Sequence, residues 1–236
     1  MNLLLLQDAH LINSHQARIT GRQHEHVLKV HRAKVGDSLR VGMLNGEIGQ
    51  ATITELNKDH LEITFQLSQA PPPPLPLTLV IALPRPQMLK RILQTVATMG
   101  VKHLILIHSQ RVEKSFWQTP ELNEDKVHKQ ILLGLEQGVD TLLPTIEYRQ
   151  RFKHFVEDEL PALCHDRRAL VAHPGVTSAC PEPSQAPTLL VIGPEGGFVK
   201  HEVDMLEAAG CKAFHLGRRI LKVETAVPVL LGKLFP

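Results

Sequence analysis

The chain has 236 residues, of which 43% are hydrophobic and 21% are charged, and its formal net charge is +2 at pH 7. This length and apolar content suffice for one large domain, or for a small domain followed by a medium one. The apolar runs are far shorter than a membrane-spanning helix, and so small a net charge does not by itself indicate a nucleic-acid partner. Few, widely spaced cysteines (Cys164, Cys180 and Cys211) are typical of a reducing compartment, so we expect a cytoplasmic protein without a membrane partner.

The first 70 residues predict a small, barrel-like β domain. Short apolar or alternating segments at residues 3–6, 17–20, 38–43, 47–56 and 61–67 are separated by turn residues. Asn45-Gly46 stands between two of these segments, which is typical of a β-hairpin. One helical insert is predicted over residues 23–33, with Val27 and Leu28 facing inward and Val30 as a further inward candidate.

This first region also contains a basic segment between residues 15 and 40. Its arginines and lysines are opposed only by Glu25 and Asp37, so it could bind RNA phosphates. On charge alone, an ordinary solvated face is the simpler interpretation. His24, His26 and His31 lie in the same segment, but no cysteine or second cluster accompanies them, so we expect no metal site.

A proline-rich segment at residues 71–76 predicts a stiff linker, which places a domain boundary near residue 72. Beyond it, buried strands alternate with amphipathic helices, a pattern that indicates an α/β domain over residues 77–236 with a mostly parallel sheet and right-handed crossovers. The predicted strands are 77–83, 101–108, 145–148, 169–173, 188–192 and 211–216, and the predicted helices are 87–99, 121–137, 152–163, a helix from Phe198 onward, and 224–235.

Two glycine-containing loops follow the last two predicted strands. The first is Gly193-Pro194-Glu195-Gly196-Gly197, between a buried strand and a helix, and the second covers residues 217–223 before the terminal helix. Ligands of open α/β sheets bind beyond the carboxyl ends of the strands, so we expect the two loops to form one pocket rich in backbone groups. The sequence contains no Gly-x-Gly-x-x-Gly, Walker-type, His-Glu-x-x-His or Gly-x-Ser-x-Gly motif, which argues against dinucleotide, P-loop, zinc-protease and serine-hydrolase chemistry.

Three motifs in order resemble a known family. They are His-Val-Leu-Lys-Val-His-Arg with Lys-Val-Gly-Asp (residues 26–37), Gly-Pro-Glu-Gly-Gly-Phe (193–198) and Leu-Gly-Arg-Arg-Ile-Leu-Lys-Val-Glu-Thr-Ala (216–226). Together they are similar to the ribosomal-RNA uridine-N3 methyltransferases (RsmE type) of the SPOUT superfamily, over nearly the whole chain. The chain departs from the usual family residues at Arg218-Arg219, Lys222-Val223 and Thr98-Met99.

The resemblance implies a PUA-like N-terminal β-barrel, a trefoil knot in the C-terminal domain and a homodimer formed through that domain. It also implies S-adenosylmethionine as cofactor and N3 of a uridine in small-subunit (16S) ribosomal RNA as the methylated atom. Arg219 would stabilise the deprotonated base. Glu224 would accept a proton or, in the simpler interpretation, cap its helix and orient an arginine. The implied cofactor-binding residues are Gly193, Gly196, Gly197, Leu216, Gly217, Ile220, Leu221, Thr225 and Ala226, and the loop after His173-Pro174 should form a third wall. His173 itself is a candidate cofactor-binding residue, with a strand cap as the alternative interpretation.

With this resemblance, RNA contact becomes the preferred interpretation of the basic segment. The predicted RNA-binding residues are Arg18, Arg22, Lys29, Arg32 and Lys34, together with Arg85 in the first βα turn of the larger domain. Two alternatives remain open: a non-catalytic RNA-binding member of the fold, and a methyltransferase for another RNA position.

Overall fold

The computed structural model describes residues 1–235. The chain divides into two compact units, of which the first combines Met1–Pro73 with Leu132–Leu143. The second contains Pro74–Ile131 and the described residues from Pro144 onward. The boundary near residue 72 and the linker at residues 71–76 stay predictions, and the assignment of Leu132–Leu143 to the first unit has no counterpart in the sequence pattern.

The first unit is built on a sheet of six strands. In spatial order these are β1 (Leu4–Leu6), β4 (Ser38–Met43), β5 (Ile48–Leu56), β6 (Leu61–Gln69), β3 (Gln16–Ile19) and β2 (Leu11–Asn13). β1 pairs with β4 in parallel, and the other neighbours are antiparallel. Alternation along β5 and β6 buries apolar residues such as Ile53 and Ile63 in a common core.

The helical insert of the first unit is shorter and less regular than the predicted helix 23–33. An α-helix, α1 (Gly21–His26), continues as a π-helical turn over Val27–His31. The turn ends at Arg32, whose φ of 52° is left-handed and therefore stops the helix. Val27 is fully buried, as the sequence predicts, but Val30 is 65% exposed, because it lies in the π-helical turn, which does not keep the α-helical period behind that expectation.

The second unit contains a six-stranded sheet in which every pairing is parallel, which confirms the predicted α/β class. Its spatial order is β12 (Lys212–Phe214), β10 (Arg168–Ala172), β11 (Thr188–Ile192), β7 (Leu77–Ala82), β8 (His103–Ile107) and β9 (Thr145–Arg149). All residues of β7 and β11 are buried, as expected for central strands covered on both faces.

Helices connect these strands where the periodicity predicts them. They are α2 (Pro86–Thr98), α3 (Glu124–Gly138), α4 (Phe152–His154) continued by a π-helical turn (Phe155–Glu159) and α5 (Leu160–Cys164), then α6 (Lys200–Ala208) and α7 (Val223–Leu234). α2 buries a stripe that includes Leu89 and Leu93, and it packs against the terminal helix α7. Among the described residues, no helix has both the length and the hydrophobicity needed to cross a bilayer. The trefoil knot stays a prediction.

Gly49 provides a test of the close pairing between β5 and β6. A methyl group added at this position would lie 1.8 Å from the backbone oxygen of Gln66, so the strands would have to move apart. We expect Gly49→Ala to lower the free energy of unfolding by about 3 kcal/mol. The matched control is Gln50→Ala, an exposed neighbour on the same strand, with an expected change within about 0.5 kcal/mol. Urea denaturation measures both, and equal midpoints for the two variants would contradict this packing.

Candidate functional site

Three neighbouring strands of the second unit end at the same level. The last residue of β10, Ala172, pairs with Ile192 at the end of β11 and with Phe214 at the end of β12. The three loops that follow therefore leave one edge of the sheet side by side. Together with the first turns of α7 they enclose a pocket of about 650 Å³, counting its open mouth.

The pocket lining is partly apolar and partly backbone. Its residues come from the three strand ends, the loops behind them and one face of α7: Ala172, His173, Pro174, Ile192, Gly193, Pro194, Glu195, Gly197, Phe214, His215, Leu216, Gly217, Arg219, Ile220, Leu221, Val223, Ala226 and Leu230.

Two glycines shape the walls of this pocket. Gly197 has a φ of 70°, and its N–H donates to the carbonyl of Pro194 at 2.7 Å, which closes the first loop into a tight turn. Gly217 has a φ of 118°, and a methyl group added there would meet no atom within 4 Å. The backbone of the second loop therefore borders open space that a ligand can approach closely.

Side chains and backbone from neighbouring loops hold the first glycine loop in place. The Arg85 N–H donates to Glu195 Oε1 at 3.1 Å, and the Arg111 guanidinium donates to the Gly196 carbonyl. Behind the loop, the buried carboxylate of Glu202 accepts from the Gln110 N–H at 2.7 Å and from the Val199 N–H at 3.0 Å. The loop after β7 is thus fastened to the first glycine loop, and the loop after β8 to the start of α6.

His173 carries a buried polar atom without a partner. Its backbone N–H donates to the Phe214 carbonyl at 2.9 Å, whereas its Nδ1 is buried and has no hydrogen bond within the described chain. Burial, reinforced by the charge of Arg111, lowers the pKa of His173 below its ordinary value of 6.5. A neutral imidazole facing the pocket can accept or donate one hydrogen bond to a ligand.

The structure brings most of the sequence-predicted cofactor residues into one pocket. His173, Gly193, Gly197, Leu216, Gly217, Ile220, Leu221 and Ala226 all line it, and so does Arg219. Gly196 lies between two lining residues but packs against the Arg111 side chain, and Thr225 is exposed on the first turn of α7. Glu224 also lies in that first turn but does not line the pocket. A carboxylate at this position interacts favourably with the positive end of the helix dipole.

Sequence reasoning missed two groups of site residues. The first comprises the strand-end residues Ala172, Ile192 and Phe214, which a parallel sheet with aligned ends would have indicated. The second comprises Arg111 and Glu202, which support the glycine loop without lining the pocket. Arg111 follows β8 closely in sequence, so the sequence pattern could have placed it at this edge of the sheet. The pattern could not have predicted its hydrogen bond to the Gly196 carbonyl.

The basic residues of the second loop differ in position. Arg218, Arg219 and Lys222 are all exposed, but of the three only Arg219 lines the pocket. Within the described part of the chain, the Arg219 side chain has no ion-pair partner. Its charge is therefore available to a bound substrate.

The predicted RNA-binding residues of the first unit fall into two sets. Arg18 pairs with Glu62 at 2.6 Å, Arg22 pairs with the buried carboxylate of Glu136, and Lys29 pairs with Glu25 at 3.3 Å. The side chains of Arg32 and Lys34 are exposed and have no ion pair among residues 1–235. In the second unit, Arg85 is likewise exposed beside the first glycine loop.

One group in the first unit has metal-ligand character. A ligand atom of each of Glu55, His60 and Glu62 lies within 4.8 Å of the others. Arg18 already pairs with Glu62, and the Asn57 amide donates to Glu55 at 2.7 Å, so both carboxylates have protein partners. The absence of a metal site stays a prediction.

This arrangement defines a class of protein: a parallel α/β domain with a loop-built small-molecule pocket at its carboxyl edge, next in sequence to a β-sheet unit. Comparison with known families makes the class specific. Residues 71–234 match the model of an RNA methyltransferase domain, and residues 19–66 match that of an RNA methyltransferase PUA domain. The chain belongs to this family of RNA methyltransferases, which confirms the resemblance seen in its motifs.

Known relatives cover nearly the same length. A ribosomal RNA small subunit methyltransferase E of Treponema pallidum is 28% identical over 85% of this chain and 77% of its own length. One from Rickettsia conorii is 23% identical over 93% of this chain and 89% of its own. The crystal structure of a ribosomal RNA small subunit methyltransferase E from Neisseria gonorrhoeae, bound to S-adenosyl methionine, has the same fold, with a TM-score of 0.74, 18% identity and coverage of 98% and 95%.

The environment of His173 predicts its titration. Because burial and Arg111 disfavour the imidazolium, we expect its pKa to lie below 6.5 and to rise in Arg111→Met. Just below pH 6.5 the unfolded chain then binds more protons at this residue than the folded chain, so its contribution to stability falls as the pH falls. NMR titration of the imidazole Hε1 measures the shift. Arg151→Met, which removes a charge that does not act on His173, is the control, and an equal shift in both variants would refute the assigned cause.

Proposed function

We propose that the protein is an S-adenosylmethionine-dependent methyltransferase that acts on N3 of a uridine in small-subunit (16S) ribosomal RNA. The observation that carries this proposal is the single pocket formed by both glycine loops at three aligned strand ends. Membership of the RNA methyltransferase family supports the reaction class. Its relatives are ribosomal RNA small subunit methyltransferases, which supports the substrate, and the S-adenosyl methionine bound to the Neisseria gonorrhoeae protein supports the cofactor.

The residues present fit this cofactor. The strand ends and Leu216 offer apolar surface for an adenine ring, while the loops around Gly193 and Gly217 allow close contact with the backbone. The unpartnered Nδ1 of His173 supplies a hydrogen-bonding group that a polar part of the ligand would satisfy. We also propose that Gly196 and Thr225, which lie next to lining residues in the sequence, take part in cofactor binding. When bound, S-adenosylmethionine supplies an activated methyl group.

The chain's own residues must then orient the uracil and stabilise its anion. N3 of uridine reacts after losing a proton, and the resulting negative charge spreads over the two flanking carbonyl oxygens. Arg219 is the pocket-lining cation that can stabilise this charge through its guanidinium N–H groups. For Glu224, the position in the first turn of α7 supports a structural contribution to the helix start.

RNA binding, assembly and location complete the proposal. Arg32 and Lys34 have charges free to meet phosphates, while Arg18, Arg22 and Lys29 would first have to leave their carboxylate partners. We propose that Arg85 contacts the RNA near the pocket, because its backbone N–H donates to the pocket-lining residue Glu195. A homodimer formed through the second unit and a cytoplasmic location are proposed on the family resemblance, and light scattering in solution tests the dimer.

One experiment tests the activity directly. The protein is incubated with methyl-labelled S-adenosylmethionine and small-subunit RNA from cells that lack it, and the RNA is digested for mass spectrometry. Labelled 3-methyluridine at one position is the expected result. Label on another base would overturn the assigned atom, and RNA binding without label would leave the non-catalytic alternative.

Gly217 tests the cofactor pocket with a matched control. Gly217→Ala and Gly36→Ala both add a methyl group at positive φ, 118° and 93°, with no atom within 4 Å. Each should lose about 1 kcal/mol of stability through backbone strain. Only Gly217 borders the pocket, so we expect at least about a tenfold weaker S-adenosylmethionine affinity for that variant alone, which corresponds to about 1.4 kcal/mol. Calorimetry measures both, and equal affinities would place the cofactor elsewhere.

Arg219 tests the stabilisation of the anion. We expect Arg219→Met to lower the single-turnover methylation rate about 10²–10³-fold, because the charge on the uracil oxygens loses its counter-ion. Cofactor affinity should change little. Arg218→Met, which alters the adjacent residue outside the lining, should keep a rate close to that of the wild type. Comparable rates for the two variants would contradict the role of Arg219.

The exposed cation Arg32 tests the RNA surface. Removing one phosphate contact should reduce the slope of log affinity against log salt by about 0.7–0.9. We expect this reduction in Arg32→Ala, and an unchanged slope in Lys153→Ala, whose charge lies in the second unit opposite Glu157. Fluorescence anisotropy with a labelled small-subunit RNA fragment, measured over a range of salt concentrations, provides the slopes. The same slope in the wild type and in Arg32→Ala would remove this residue from the RNA surface.

A further inference from the structure

Two cysteines that are far apart in sequence lie side by side in the second unit. Cys164 is the last residue of α5, and Cys211 immediately precedes β12. Their Sγ atoms are 3.9 Å apart. The third cysteine, Cys180, lies in the loop between β10 and β11, and its Sγ faces the carbonyl of Pro181.

The backbone on both sides of this thiol pair is fixed. The Cys211 N–H donates to the Leu206 carbonyl at 3.0 Å, and the Arg167 N–H donates to the Cys164 carbonyl at 3.2 Å. A methyl group added at Gly210 would lie 3.4 Å from the Cβ of Cys164, so the two segments pass close to each other. The sulfur atoms must therefore approach to about 2 Å mainly by side-chain rotation.

We propose that Cys164 and Cys211 are a modification site that forms a reversible intramolecular disulfide on exposure to a hydroperoxide. This inference does not depend on the proposed function. Nothing in the methyl-transfer reaction uses either sulfur, since neither residue lines the pocket.

The two thiols differ in ways that assign their order of reaction. Cys164 is partly exposed and accessible to a dissolved oxidant, whereas Cys211 is 4% exposed. The hydrogen bond from Cys211 and the charge of Arg167 lower the pKa of Cys164, while the same hydrogen bond and burial raise the pKa of Cys211. Cys164 is therefore the thiol that reacts first.

The reaction balances with hydrogen peroxide as the oxidant. The Cys164 thiolate attacks one peroxide oxygen, an S–O bond forms, the O–O bond breaks, and the departing hydroxide takes up the thiol proton as water. The Cys211 sulfur then attacks the sulfenic sulfur, the S–S bond forms, and the S–O oxygen leaves as water with the Cys211 proton. Two thiols are oxidised and one peroxide is reduced to two waters.

The cross-link would join the end of α5 to the start of β12. β12 is a short edge strand whose last residue, Phe214, lines the pocket and accepts the His173 N–H. Thiol–disulfide exchange with a reducing agent restores both thiols, so the modification is reversible.

The test uses the full chain, reduced and then treated with hydrogen peroxide before denaturing alkylation and peptide mass mapping. We expect a cross-linked peptide pair containing Cys164 and Cys211, which is lost after treatment with dithiothreitol. Cys180→Ser should form the same cross-link. Cys211→Ser should instead leave Cys164 as a sulfenic acid that dimedone traps, and Cys164→Ser, altered at the more exposed residue, should form no cross-link.

Three results would overturn the proposal. One is oxidation of Cys164 to the sulfinic acid in the wild type without a cross-link. The second is a cross-link through Cys180, and the third is complete alkylation of all three cysteines after peroxide treatment.

Discussion

The candidate site depends on one constraint, the common level at which β10, β11 and β12 end. Parallel pairing in register places Ala172 between Ile192 and Phe214, so the chain leaves the sheet three times at one edge. A shift of one strand by a single residue would turn its side chains to the opposite face and separate the loops. The hydrogen bonds of the sheet thus set the shape of the pocket before any pocket side chain contributes.

The glycine loop after β11 requires support because its glycines contribute little packing of their own. Glu202 provides this support by accepting hydrogen bonds from two backbone N–H groups. One is that of Val199, just before α6, and the other is that of Gln110 in the loop after β8. A carboxylate that is 5% exposed is stable only with such donors. Arg111 and Arg85 fasten the loop on its outer side. The pocket is preorganised by residues that do not line it.

Two of the departures from the usual family residues lie at helix ends, Lys222-Val223 at the start of α7 and Thr98-Met99 at the end of α2. Val223 is buried and lines the pocket, so an apolar residue suits its position at the start of α7. Lys222 is the exposed N-cap residue whose carbonyl accepts the first helical N–H groups, a role that any side chain permits. Thr98 and Met99 end α2 before Gly100, whose φ of 79° stops the helix. These residues are thus compatible with the helix starts and ends around the site, and Arg219 lines the pocket.

The sequence by itself determined the parallel α/β class, the β-rich first region, the family and the joint pocket of the two late loops, because these follow from local periodicity and from contiguous motifs. The family resemblance pointed to Arg219 as the stabilising cation. Only the tertiary structure decided that this residue, and neither Arg218 nor Lys222, lines the pocket, since neighbouring loop residues differ only in side-chain direction. It also decided that Glu202 holds a loop 92 residues earlier in the chain and that Cys164 meets Cys211. Contacts between distant residues depend on strand order and register, which no local pattern in the sequence encodes.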